Sequence, residues 1–593
     1  MRFTLRQRLM ASTLLFGAAA VATPAWAQAQ DTQAEPPVSS EADPDAGQAD
    51  PGASGEDAEI IVTGSRIARP DLTSTSPLAV VNDEEFALSG AVNVEQVINT
   101  LPQVIPGATA FSNNPGGGVA TLNLRGLGSQ RNLVLVNGRR YIFFDTSQVT
   151  DLNTIPSFLI EAVDVVTGGA SAVYGSDALA GVINFRLRRD INGLIAGGQY
   201  TITEDGDGER YNAYAAIGTQ FADGRGHVAV FGEYYNRGSV FQSARSFSRF
   251  ALGDGATSLV PLGSANVPQG RFTAPATQFV DINGNGAADP GETFTIAGTT
   301  GPTSVFNAST LGGIFATPGT ARAYANPADS YNYAPANYLM VPQKRWTLGG
   351  YGEYEVTDGI NLYGEVNFIN NQVVNQLAAT PIGQQVNVNL LNPQICGGPN
   401  AYISATTCAA LTTIAANQLA ARNAAIAAGR TAPFGSVAAG TGTVPAISAG
   451  IVRLTANYRV TQIANRLNTD DRNSFRVLGG TRGKITDDLN YDLYYMYSRT
   501  KNSQTQIGNV SRSAFAANVA NGTCNIFGPD QLSDACIEAV SIGAQNQETS
   551  TLQVASGSIS GTAFTSPWAT SAVGFAIGAE WRKMKADFNP DTF

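Results

Sequence analysis

The sequence is poor in the side chains that carry most protein chemistry. Its 593 residues include one histidine, His227, with four cysteines, five methionines and four tryptophans. A single imidazole that stands beside no nucleophile motif assembles no catalytic constellation, so the chain is not read as an enzyme. Zinc is excluded on similar grounds, because no CxxC occurs among Cys396, Cys408, Cys524 and Cys536. Charged residues make up only 14% and the net charge is −11. No Lys/Arg stripe is present to displace phosphate counterions, which argues against nucleic acid as a partner. Beyond Ala22 no apolar run reaches the roughly 18 residues of a membrane-spanning helix.

What is plentiful is Gly, at 63 residues, together with Tyr, Asn and Thr, a composition suited to turns and strands. Arg2, Arg6 and Arg8 precede an apolar stretch from Leu9 to Ala22, and Ala25-Trp26-Ala27 gives a small-x-small cleavage site. Residues 1–27 therefore read as a secretory signal. Export to an oxidising compartment makes Cys396–Cys408 and Cys524–Cys536 the natural pairs, each a local staple of ~3 kcal/mol in the chain-entropy model. Residues 28–58 are acidic, contain no Lys or Arg, and repeat Pro, Gly, Ser and Ala. Such a leader is expected to be disordered.

From about residue 65 to 189 the texture is compact and mixed. Val94, Val97, Ile98 and Leu101 fall on one face of an expected helix over 93–104, closed by Pro102. "TLNLRGLGSQRNLVLVNGRRY" reads as strand, Gly-rich turn and strand, with Asn137-Gly138 as a hairpin signal. "IPSFLIEAVDVVTGGASAVYGSDALAGVINFRLRR" adds a short helix, a strand, a Gly-rich turn and a last strand. Beyond Asn192 the period becomes two. Trp346 and Leu348 alternate with Arg345 and Thr347; Leu362, Val366 and Phe368 alternate with Tyr363, Glu365 and Asn367. Short turns (222–226, 357–359, 486–488) alternate with long loops near 238–343, 372–472 and 501–565. That asymmetry favours a transmembrane β-barrel over a soluble sandwich, with about eight strands expected. An Ala-rich run over 408–429 reads as a helix within a loop, and His227 as a residue at a strand head near the short-turn rim.

"EIIVTGSRI", "LNLRGLGSQRNLVLVNGRR" and "IEAVDVVTGGASAVYGSDALAGVINF" together resemble the plug domain of a TonB-dependent outer-membrane receptor. The resemblance implies a mixed fold: a small α/β plug over 68–190, then an antiparallel transmembrane β-barrel over 191–593 with long extracellular loops. Plugged outer-membrane transporters have about 22 strands, so the resemblance implies a barrel whose C-terminal part is missing here. It also implies a Gram-negative cell outer membrane as location, with outer-membrane lipid around the barrel. The implied function is import of a scarce nutrient, an external ligand of unknown class. A TonB-type energiser of the inner membrane would pull the plug through a TonB-box-like segment at 59–67. The alternatives are a truncated, non-transporting fragment or a surface-binding barrel with no energised cycle.

The segment Glu59, Ile60, Ile61, Val62, Thr63 and Gly64 suits the energiser contact, since an extended β-prone peptide can add a strand to a partner's sheet. It would otherwise be the plug's first strand. Arg125 and Gly126 in the "LRG" turn and Glu161 before "VDVV" are plug-motif residues, whose charges the resemblance pairs within the plug or against the barrel. Gly168, Gly169, Gly175 and Gly181 are expected at turns or close approaches. "DINGNGAADPGE" matches a calcium-loop pattern, with Asp281, Asn283, Asn285, the Ala287 carbonyl, Asp289 and Glu292 as ligands. The other reading is an Asn/Gly-rich turn, and no other cofactor is called for.

Overall fold

The computed structural model describes residues 78–592 except 90–91, 115, 168–169, 276, 280–292, 296–304, 307–310, 358, 428–447, 566–567 and 569–571. The signal, the leader, the segment 59–67 and the calcium-like loop therefore lie outside the described residues.

The plug region is built on a five-stranded sheet in the order Leu78–Asn82, Ile160–Thr167, Gly181–Leu187, Asn132–Val136, Arg139–Arg140. Val163, Val165, Val182, Ile183 and Phe185 are all buried, as expected of central strands covered on both faces. One cover is the helix Val94–Ile98 with the hairpin of Val104–Pro106 and Leu122–Leu124. This helix stops well before Pro102. The Thr100 amide and hydroxyl both turn back to the Val97 carbonyl, at 3.0 and 2.7 Å, and such local bonds compete with continued helix. The expected helix in "IPSFL" is a single 3-10 turn, Ser157–Leu159.

Around the plug runs one antiparallel sheet of nine strands, each paired with the next in the chain. They are Gly193–Thr201, Arg210–Phe221, Gly226–Arg237, Gln343–Thr357, Ile360–Leu377, Arg466–Thr486, Leu489–Val510, Ser541–Thr565 and Ala572–Asn589. Its polarity is inverted relative to a soluble protein. Trp346, Leu348, Val366, Phe368, Val477 and Leu493 are exposed on the outer face, while Arg345, Thr347, Glu365, Arg476, Ser498 and Thr500 are buried. A sandwich would bury the apolar set; a membrane wall presents it to lipid. No helix among the described residues is long and apolar enough to cross a membrane.

One expectation needs correction. Among the described residues the wall has nine strands, in line with the eight or so expected, but 541–565 is a strand instead of part of a loop. Its sequence is rich in Ser, Thr, Gln and Gly, so it shows no apolar face, and its pairing with both neighbours supplies what periodicity does not. Among the described residues the sheet does not close: Gly193–Thr201 and Ala572–Asn589 each pair on one side only.

The long connections are not loose either. At one rim the wall strands are joined tightly, after Phe221, Thr357 and Thr486. At the other rim the three long connections fold together into a cap. Its sheet runs Thr320–Ala323, Gly313–Thr317, Arg271–Thr273, Ile451–Arg459, Pro381–Asn389. Phe272, Phe306 and Phe315 from the first connection, Val386 and Leu454 from the second, and Phe515 and Phe527 from the third share one core. The helix Ala405–Ala427 covers it, and its Gln418 amide exchanges two hydrogen bonds with the Arg453 backbone, at 2.8 and 2.9 Å. Both cysteine pairs, Cys396–Cys408 and Cys524–Cys536, are joined as disulfides inside this cap.

Candidate functional site at the junction of plug and wall

The hairpin tip Asn137-Gly138 aims two arginines at the wall. Both tip residues have positive φ, 50° and 75°, the type I′ geometry that Asn-Gly accepts. The tip is tied down by Asn184, whose Oδ1 accepts from the Gly138 amide at 2.8 Å, and by Asn137, whose Oδ1 accepts from the Leu187 amide at 2.8 Å.

Arg139 enters a charged cluster. Its guanidinium donates to the Tyr363 hydroxyl at 2.7 Å and to Asp492 Oδ2 at 3.0 Å, and lies over the rings of Tyr363 and Tyr494. Tyr363 in turn donates to Asp492 Oδ1. Beside them Glu365 receives Arg189 at 2.5 Å and the wall's Arg476 at 2.7 Å, with Arg139 at 3.9 Å. Three guanidiniums thus face two carboxylates in a buried setting, where each bond is stronger and each loss costlier than in water.

Arg140 forms the second cluster. It reaches Asp177 at 2.7 Å and Glu580 of the last wall strand at 3.8 Å, while Arg582 contacts Asp177 at 3.1 Å and Glu580 at 2.9 Å. Higher on the wall, Arg472 donates to the Gly117 carbonyl at 2.7 Å and pairs with Asp470 at 3.2 Å. Asn93 donates to the Tyr235 hydroxyl at 3.1 Å.

Two buried acids of the plug belong to this junction. Burial pushes the Asp151 carboxyl up, against hydrogen bonds from the Ala120 and Asn153 amides at 2.9 and 3.0 Å. Burial also raises Glu95, which Arg237 of the wall partly opposes. Its Oε2 accepts no hydrogen bond. Apolar contact also crosses the junction: Phe143 packs against Leu478, Met496, Leu552 and Val554, Ile369 of the wall enters the plug core, and a further cluster lies where the plug chain passes into the wall. There Leu159 and Ile191 meet Ala216 and Ala229, and Phe158 stacks on Tyr214 at 4.4 Å.

Several sequence-expected residues sit apart from these clusters. Arg125 and Gly126 occupy an exposed turn with φ of 57° and 71°. Glu161 lies inside the strand Ile160–Thr167 and is exposed. Neither Arg125 nor Glu161 forms an ion pair among the described residues, so the expected charge pairing falls to other side chains. Gly168 and Gly169 lie outside the described residues, as do residues 59–64 and 281–292. Gly175 closes the turn after Ser171–Tyr174 at φ 87°. Gly181 admits no side chain, because a Cβ there would stand 2.4 Å from the Val166 carbonyl oxygen. His227 is buried, with Nε2 2.8 Å from the Ile191 carbonyl.

Arg139, Arg140, Arg189, Glu365, Arg476, Asp492, Glu580 and Arg582 were missed from sequence. A signal existed: Glu365, Arg476 and Asp492 alternate with apolar outward residues, which places their charges on the inner face, and the two plug-tip arginines directly follow Asn-Gly.

Residues 70–182 match the family model described as the TonB-dependent Receptor Plug Domain. Similar solved structures include a mutant ferric enterobactin receptor (PfeA) from Pseudomonas aeruginosa in complex with enterobactin, at 12% identity and TM-score 0.41, covering 87% of this chain and 50% of that one. The ferric-catecholate import receptor Fiu from E. coli K12 is similar at 12% identity and TM-score 0.32, over 86% of this chain and 67% of that one. The siderophore receptor PirA from Pseudomonas aeruginosa is similar at 10% identity and TM-score 0.29, over 87% and 60%. The chain spans about half the length of the first of these structures. Residues 70–182 are therefore a TonB-dependent receptor plug domain.

Proposed function

We propose that this chain is the plug and adjoining wall of an energised outer-membrane importer. A nutrient ligand binds on the capped side, and a TonB-type energiser pulls residues 59–64 from the other side, driven by the proton-motive force. Force applied there reaches Leu78–Asn82 first. Among the described residues this is an edge strand of the plug sheet, paired on one side, in antiparallel register from Leu78 opposite Val166 to Asn82 opposite Ala162. Peeling it also strains the ion pair of Asp83 with Arg188, at 3.3 Å.

The observation that carries this reading is the chemistry of the junction. The plug meets the wall through the Arg139/Arg189/Glu365 and Arg140/Asp177/Glu580 clusters, with apolar contact in separate patches at Phe143, Leu159 and Ile369. Water can replace such contacts when the plug moves, whereas opening a continuous apolar seam costs about 25 cal/mol for each Å² exposed. Deleting residues 59–67 tests the proposal: energised uptake should disappear while ligand binding at the cell surface persists. Undiminished uptake would refute it. The open nine-stranded sheet favours a second reading, in which this chain alone binds ligand and does not transport it.

A further inference from the structure

On the outer face of the wall, the apolar band ends toward the capped rim in aromatic side chains. Phe475, Tyr497 and Trp581 mark that edge on three strands, and Phe475 and Tyr497 lie 5.6 Å apart. Such a girdle sits at a membrane–water boundary. Immediately beyond it, on the same face, come Arg499 and Lys501 on one strand and Lys583 and Lys585 on another. All four are exposed, and none has an ion pair among the described residues.

The register makes them one patch. Arg499 is opposite Thr551, and Thr551 is opposite Lys585, so these two cations share a row separated by one strand, about 10 Å apart. Tyr497 and Lys583 flank Gln553 in the row below. Two acids lie nearby on this face. Asp587 is level with Lys501 across Thr549, and Asp471 is engaged by the Asn370 amide at 2.9 Å. In a chain of net charge −11, the patch is an exception in sign.

Directly beneath it, within the apolar band, is a shallow trough of about 610 Å³ lined by Leu362, Gly479, Leu493, Tyr495, Gly557 and Trp581. Gly479 forms part of its floor, and a Cβ placed there would meet nothing within 4 Å. Cations above an aromatic edge, with an apolar trough below, match a single amphiphile.

We propose that Arg499, Lys501, Lys583 and Lys585 hold the phosphate of an anionic membrane lipid whose acyl chain lies in the Gly479/Gly557 trough. Phosphate is favoured because long basic side chains at a membrane surface attract anionic headgroups, and Arg adds paired donors. The trough explains why these cations stand over this part of the wall. The proposal rests on the wall crossing the membrane.

The test uses the full chain purified in mild detergent, offered phosphatidylglycerol and, separately, diacylglycerol lacking the phosphate. Bound lipid is counted by native mass spectrometry. Phosphatidylglycerol should be retained and diacylglycerol not. Combined Arg499→Gln, Lys501→Gln, Lys583→Gln and Lys585→Gln should lower retention about tenfold or more. Gly479→Trp, which fills the trough and leaves every cation in place, should lower it as well. Arg225→Gln, at the opposite rim, should leave it unchanged. Equal retention of the two lipids, or undiminished retention by the quadruple variant, would overturn the proposal. Carbonate extraction of membranes separates the two levels of the argument. Release of the unsubstituted chain would sink the transmembrane reading itself, whereas retention with no lipid selectivity would sink only the patch.

Discussion

The junction between plug and wall and the cap above the rim both hold distant segments together, but charge has a much larger share in the junction. The cap closes around Phe272, Phe315, Leu454, Phe515 and Phe527, and two disulfides staple its connections. At the junction the partners are Arg139, Arg140, Arg189, Glu365, Asp492 and Glu580. Apolar burial strengthens with every contact added and cannot be undone piecemeal. Buried ion pairs contribute less net stability but fix one arrangement, and they are costly when only one partner is removed. The cap thus gains most from burial, whereas the charged clusters of the junction fix one register between plug and wall.

The largest effect expected of a single change is at Glu365. Glu365→Ala leaves the buried Arg476 and Arg139 without their shared carboxylate, at a cost of about 3–5 kcal/mol. Hydrogen exchange should rise across 132–140 and 160–187 while the cap amides keep their protection. Loss of protection in both regions would break the distinction drawn above. Next in size, Cys524→Ser with Cys536→Ser removes a staple spanning 12 residues, worth ~3 kcal/mol. Thermal unfolding should show the cap destabilised, with trypsin sensitivity of the plug unaltered.

The smallest effect sharpens the junction side. Glu95 has a raised folded-state pKa, chiefly from burial, so the folded plug binds a proton that the unfolded chain releases first. Stability therefore falls as pH rises from about 4 through the raised value. Glu95→Gln should flatten that decline, leave stability unchanged below pH ~4, and raise it near neutrality. Denaturant titrations of both proteins across this range would show the curves converging in acid. Parallel curves at every pH would remove Glu95 from the account.

Much of the molecule was legible in the sequence. The two plug motifs within 70–189 and the Asn-Gly tip are local signals, and the inverted alternation around Trp346 and Val366 told outer from inner face. The cap was not legible, because its central strand Arg271–Thr273 pairs with Ile451–Arg459, a match between segments that no periodicity connects. Ser541–Thr565 was lost because its outer face is made of small polar residues and glycine. The junction was missed for a third reason. Arg139, Arg140 and Asp177 lie in recognisable motifs just as Arg125 and Glu161 do, but their wall partners Glu365, Asp492 and Glu580 stand singly on long strands and gain meaning only from what lies opposite.

The cap's pairing also sets an order of assembly. Each cysteine pair is separated by 12 residues, so both bonds can close as soon as their own connection reaches an oxidising compartment. Arg271–Thr273 has a different timetable. One neighbour, Gly313–Thr317, follows soon after it, but the other, Ile451–Arg459, arrives only after the wall strands Gln343–Thr357 and Ile360–Leu377 have been made. Completion of the cap sheet therefore depends on a segment that follows the intervening wall hairpin, and without it the central strand would be paired with Gly313–Thr317 alone.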